Sequence, residues 1–219
     1  MASVPLDVPK APGTLPRRDD AARAHLHAVA ARAQPLVHAG DRRLLVDGLL
    51  GLKLPGGGVQ RGSTVALAGL GGTGSTTVAF QLAAAATSAG EWAAVVDPEG
   101  TLGARAAVEA GVELERCAVV RGLPHDRWAA VVAALIDGVS LVAAAVPPYL
   151  RPADARRLVA RARERAAVLV AIGPWPAEAA LRLETGPSAW RGLETESGLL
   201  TERDMEVRVE GRGVHARAG

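Results

Sequence analysis

The chain has 219 residues, enough for one well-buried core. With four Trp, one Tyr and one Phe against 49% hydrophobic content, that core must be built mainly from Ala, Val and Leu. A net charge of +2 does not mark a nucleic-acid-binding protein by itself, and the single cysteine, Cys117, excludes an internal disulfide framework. Charges break every apolar run before bilayer length, and the N-terminus lacks the apolar stretch of a signal peptide. A cytoplasmic chain with no membrane association is expected.

Residues 1–18 are rich in Pro, Arg and Asp and are expected to form a flexible arm. Asp19 or Asp20 suits the cap of a peripheral helix that runs at most to about Ala39. Leu26, Val29 and Ala30 give that helix a weak apolar face, and Pro35 kinks or ends it. His25, His27 and His38 lie here without an acidic or thiol partner, so surface or interface histidines are expected rather than metal ligands. This segment and its connection fill residues 19–43, and the remaining 44–219 form the core. Leu44-Leu45-Val46 and Leu49-Leu50 make an apolar patch before the turn Pro55-Gly56-Gly57-Gly58. Arg61 either approaches a bound phosphate or is a solvated edge residue.

The stretch Gly62 to Gly90 organises the rest. Thr64 to Ala68 is an apolar strand, Gly69 to Gly74 a glycine-rich turn, and the segment from Thr76 an alanine-rich helix. Strand, glycine-rich loop and helix are the setting of a phosphate-binding loop, whose backbone N–H groups and helix N-terminus cradle phosphates. Gly69 and Gly74 have the spacing of that motif, and Thr76 can take the magnesium-binding hydroxyl position. Gly69, Gly71, Gly72, Gly74, Ser75, Thr76 and Thr77 are the candidate nucleotide contacts. The lysine position, however, holds Ser75, and the chain's only lysines are Lys10 and Lys53. A neutral hydroxyl cannot supply the charge that holds the outer phosphates. The glycines are equally explained by a tight strand-to-helix turn.

Trp92 to Val96 is the second strand, followed by Asp97-Pro98-Glu99-Gly100 at the edge where open α/β sheets place ligand-binding groups. Glu99 is the one candidate general base. Alternatively, Asp97 and Glu99 cap the helix Leu102 to Ala110. Cys117 to Val120 is the third strand, with the cysteine read as a small buried hydrophobe. Asp126 is a candidate cap for a helix Arg127 to Ile136. The fourth strand, Val139 to Val146, has no carboxylate where a magnesium-holding aspartate would end it.

Ala153 to Arg165 makes a basic amphipathic helix, and Arg151 just before it with Arg156, Arg157 and Arg161 within it are candidate partner or DNA contacts, or a solvated outer face. Val168 to Ile172 is the fifth strand, apolar as a strand buried in a parallel sheet must be. Trp175 and Trp190 are structural anchors or interface residues. Leu181 to Glu184 and Met205 to Val209 alternate like sheet-edge strands.

These residues carry a family resemblance over roughly Leu44 to Arg212. LKLPGGGVQRGSTVALAG resembles the entry into the phosphate loop of RecA-type recombinases, VVDPEG their second strand, and AVEAGVELERCAVV the helix, turn and strand that follow. The fold implied is a RecA-like α/β P-loop core, a mostly parallel sheet between helices with a C-terminal antiparallel edge extension. By the resemblance, Glu99 matches the glutamate that activates water in active members. The loops PPYLRPAD and GPWPAEAA look shortened beside the recombinase DNA-binding loops.

With the lysine and aspartate missing, the chain is similar to the RecA-like accessory proteins of the bacterial damage-induced mutasome, the ImuA or actinobacterial ImuA-prime group. The resemblance implies a non-catalytic adaptor in DNA-damage tolerance and induced mutagenesis. It would bind an ImuB-like Y-family polymerase homologue within an error-prone DNA polymerase complex, and single-stranded DNA is a further candidate partner. ATP with magnesium would bind weakly or not at all. The alternative expectation is a DNA-stimulated or structural ATP-binding protein with a divergent loop.

Overall fold

A computed structural model describes residues 43–69, 72–191 and 202–211. The expected N-terminal arm and helix lie outside the described residues. The first described elements are the strand β1 (Arg43–Leu45), the short helix α1 (Gly48–Lys53) and β2 (Gly58–Gln60). β1 and β2 pair antiparallel as a small sheet of their own. Leu44 and Val46 turn inward while Leu45 turns out, the period of a half-buried strand.

The main sheet begins with β3 (Thr64–Gly69), which leads into α2 (Ser75–Ser88). β4 (Ala93–Asp97), α3 (Ala104–Glu109), β5 (Cys117–Arg121), α4 (Trp128–Ile136), β6 (Leu141–Ala145), α5 (Pro152–Arg165) and β7 (Val168–Ile172) continue the alternation. β8 (Leu181–Arg191) and β9 (Glu202–Gly211) complete it. The seven strands lie in the order β5-β4-β6-β7-β3-β8-β9. All neighbours are parallel except β8 and β9. This is a RecA-like α/β core with an antiparallel pair at one edge.

Strand periodicity divides the core into two layers. Val65, Leu67, Ala93, Val95, Leu141, Ala143, Val168 and Val170 pack with α2, α3 and the β1–α1 unit. Ala66, Ala94, Val96, Val142, Ala144, Leu169 and Ala171 face α4 and α5 on the other side. The central strands are apolar on both faces because helices cover both. Alanine lets α2 lie close against the sheet: Ala83 and Ala86 are fully buried and Phe80 supplies the one large ring. On the opposite face that part falls to Trp128, also fully buried; truncating it to alanine would cost about 3–5 kcal/mol.

Several boundaries differ from the sequence expectations. Asp97 closes β4 instead of following it, and α3 is shorter than the apolar pattern suggested. Asp126 caps nothing: it sits in a 3-10 turn, Arg127 holds the N-cap position of α4, and no side chain bonds there. β8 is not an edge strand. It lies between β3 and β9, and only β9 forms the border. Arg61 neither meets a phosphate nor is solvated, since it precedes β3 at the opposite end of the strand from the loop. Its guanidinium donates two hydrogen bonds to Glu91, at 2.9 and 2.7 Å.

Candidate functional site

β3, β4, β6, β7 and β8 all run in one direction, so their C-terminal ends share one border of the sheet. That border collects the glycine loop after β3, the Asp97–Gly100 turn after β4, the Pro147–Arg151 loop after β6 and the Gly173–Trp175 turn after β7. Ligand sites of open α/β sheets form there.

The loop turns into α2 through Gly74, whose φ of 98° lies in the left-handed region that favours glycine. Ser75 starts the helix, and Val78 N–H closes its first turn on Gly74 O at 3.1 Å. This backbone is the right kind to meet phosphate oxygens with N–H groups. Gly72 lies in this turn and Ser75, Thr76 and Thr77 in the first turn of α2, while Gly71 lies outside the described residues.

The entrance to the loop holds a contact that the motif did not announce. Thr185 on β8 pairs with Gly69 in the parallel register. Its hydroxyl lies 2.8 Å from Thr73 Oγ1 and 3.4 Å from Ala68 O. Thr185 is buried, and a β-carbon at Gly69 would lie 2.1 Å from its Oγ1. Gly69 is therefore required by packing within the protein, whatever the loop binds. The alternation Leu181, Leu183, Thr185 carried the signal, because it sets the threonine on the same inward face as the two leucines.

The other candidate positions are arranged differently. Asp97 is buried and spent locally: it accepts hydrogen bonds from Thr101 N at 3.1 Å and Leu102 N at 2.9 Å. It fixes the turn ahead of α3. Glu99 is exposed in that turn. β4 stands three strands from β3, so Glu99 springs from a point about 14 Å across the sheet from the loop. β6 ends in Ala144 and Ala145, with β7 between it and β3. Among the described residues, no three His, Cys, Asp or Glu side chains gather where they could hold a metal ion. Among the described residues, Ser75 stands where the motif has its lysine and the C-terminal end of β6 carries alanine where the motif has its aspartate.

α5 carries the basic surface. Arg151 and Arg157 both pair with Asp154, at 3.2 and 3.4 Å. Arg161 grips Asp137 at the end of α4 through both its Nε and Nη2, and Arg165 adds a bond of 3.1 Å to the same carboxylate. The Arg161 hydrogen bond is the main cause that holds the Asp137 carboxyl below the usual carboxylate range. Partial burial opposes it, and the charges of Arg161 and Arg165 reinforce it. Arg161 thus ties two helices together, while Arg156 is exposed and makes no ion pair among the described residues. Trp190 lies on β8 opposite Arg203 of β9, some distance in sequence from α5. Cys117 is half-buried, and burial pushes its thiol pKa up, away from nucleophilic chemistry.

On the α4–α5 side of the sheet, a cavity of about 290 Å³ lies over β3, β8 and β9 beside the buried Trp175. Its charges alternate, Arg182 opposite Glu210 and Glu184 opposite Arg208, so it presents no net field to an anionic chain.

A model of the MT3502 N-terminal domain matches residues 53–177, more than half of the 219-residue chain. The chain belongs to the MT3502 N-terminal domain family. No curated protein matches it significantly. The MT3502 match runs from the last residue of α1 to just beyond Trp175. It therefore takes in the glycine loop, Glu99 and the arginine helix, and stops before Thr185 and the β8–β9 pair. No helix among the described residues is long and apolar enough to cross a membrane.

Proposed function

We propose that the chain is a non-catalytic RecA-like adaptor of the ImuA-prime type in DNA-damage tolerance and induced mutagenesis. Its partners would be an ImuB-like polymerase homologue and, through it, an error-prone DNA polymerase. One observation carries this reading: the strand, the left-handed Gly74 and the helix start of a phosphate-loop unit stand within the parallel sheet, while both positions that would supply charge to magnesium–ATP are neutral, Ser75 and the Ala144–Val146 stretch. Loss of one could be compensated locally. Loss of both, with Asp97 bound to its own turn, leaves a scaffold rather than a phosphoryl-transfer site.

The partner face that best suits this role is the solvent side of α5. Arg156 and Arg157 are exposed there, and reversing them breaks no contact between helices. An acidic protein surface would be steered to such a helix. Co-purification with the ImuB-like homologue tests the assignment. A complex that survives gel filtration supports it, and a chain that ignores the homologue and filaments by itself contradicts it.

A second reading has its own support in the Gly69–Gly74 frame: nucleotide held for structure, or hydrolysed with a cation supplied by DNA or a partner. In the hydrolytic form Glu99 would be the base, and Glu99→Gln would abolish turnover.

A further inference from the structure

β3 places two alanines, Ala66 and Ala68, on the α4–α5 side of the sheet, and such short side chains leave room above the strand. That room is the cavity of about 290 Å³ beside Trp175. The crossover from β7 to β8 walls it and is held at both ends: Gly173 N–H donates to Leu67 O at 2.9 Å, and Ala180 N–H to Thr64 O at 2.8 Å. Between these points Trp175 Nε1 donates to Glu178 O at 3.2 Å and Arg182 Nη2 to Ala177 O at 3.3 Å. The walls therefore stand in place without a ligand. Small-molecule sites run from about 300 to 1,000 Å³, so this one suits a ligand at the small end of that range.

The rim carries both signs of charge. In the parallel register Arg182 stands beside Ala66 and Glu184 beside Ala68, about 7 Å apart along β8. Across to β9, Arg182 faces Glu210 and Glu184 faces Arg208. Opposite charges so placed ordinarily pair. Here neither pair closes: Arg182 turns to the Ala177 carbonyl, and Arg208 to Glu206 of its own strand at 3.2 Å. Glu184 and Glu210 make no hydrogen bond or ion pair among the described residues. Each guanidinium has more N–H groups than these bonds use, so the cavity is edged by spare donors and spare acceptors. All four charged residues lie beyond residue 177, where the family match ends, and the functional reading above uses none of them.

We propose that this cavity binds a small zwitterion, a free amino acid with an apolar side chain. Its carboxylate pairs with Arg182 and its ammonium with Glu184, the two charges that flank the alanine row. The apolar side chain lies over Ala66 and Ala68 against Trp175. Arg208 and Glu210 complete the rim with one charge of each sign, which leaves the site neutral and suits a ligand that is itself neutral overall. The inference is independent of the adaptor reading and survives if that reading fails.

Titration of the full chain with leucine, followed through the indole N–H resonances, tests it. Trp175→Phe identifies the Trp175 signal among those of the four tryptophans. Leucine should move that signal saturably, with a dissociation constant of order millimolar because the pairing charges are exposed and screened. N-acetyl-leucine lacks the ammonium and leucinamide the carboxylate, so each should bind at least about tenfold more weakly. Glu184→Gln should weaken leucine by about tenfold with an unchanged melting temperature, since Glu184 makes no contact that the fold uses. No saturable shift with leucine or phenylalanine up to about 20 mM would overturn the proposal. So would saturation that leaves the Trp175 signal unmoved, equal binding of leucine and leucinamide, or leucine binding that Glu184→Gln does not change.

Discussion

At Gly69 an added methyl group would lie 2.1 Å from Thr185 Oγ1 and 2.6 Å from Thr73 Oγ1. Gly69→Ala should therefore destabilise the nucleotide-free protein by about 1–3 kcal/mol in urea unfolding. Thr185→Ala removes one hydroxyl and should cost about 1 kcal/mol. The double variant should be less unstable than the two single costs added together, because the clash and the hydroxyl leave together. A strictly additive result would show that the two residues do not share the space assigned to them. The glycine pattern was legible in the sequence as a loop, but its cause was not. A spacing of glycines reads the same whether a phosphate or a threonine comes close, and the register that brings Thr185 to Gly69 is a long-range pairing. For Asp97 the sequence left both readings open, because an acid that folds its own turn and an acid that faces a ligand occupy the same place after a strand; its hydrogen bonds to Thr101 and Leu102 N–H favour the first.

α4 and α5 are joined by Asp137, which Arg161 and Arg165 both hold. The folded-state pKa of Asp137 is below its unfolded value, so the contribution of this cluster is complete above about pH 4, the unfolded value. It is lost as the pH falls through the lower, folded value. At pH 7 Asp137→Asn should cost about 1 kcal/mol, since the cluster is partly exposed and water screens it. The gap between the natural protein and the variant should close in acid, when both are followed by thermal melting from pH 7 to pH 2.5. A constant gap would contradict the role given to the carboxylate. At this scale β3, β5, β7 and α5 were legible almost to the residue, because their apolar runs and helical spacing agree with local propensity. β8 was under-read. Its Leu-Arg-Leu-Glu alternation looked like an edge strand, yet the outward charges meet the charges of β9 across an open cavity while the leucines fill the core. The α1 unit was missed as a helix because six residues with leucines on both sides carry no single apolar face.

For the molecule as a whole, the parallel order of strands is what turns scattered loops into one border, and that order followed from the strand–helix alternation in the sequence. What could not be read from the chain alone was which basic residues are available. Arg161 looks like its neighbours in sequence but is engaged with α4. Consequently Arg156→Glu/Arg157→Glu should weaken partner binding at least about tenfold with little change in melting temperature, a loss of about 1.4 kcal/mol of binding free energy. Arg161→Glu should lower the melting temperature as well. Unchanged partner binding by the first variant would remove α5 from the interface.

The central claim is that the loop is a retained piece of architecture and not a working nucleotide site. Calorimetry of ATP with magnesium against the pure full chain, with and without single-stranded DNA, addresses it directly. The account predicts no saturable heat in either case up to about millimolar nucleotide, the level at which binding is worth only about 4 kcal/mol. Saturable micromolar binding that depends on magnesium would contradict it and make the chain an ATP-binding protein despite Ser75.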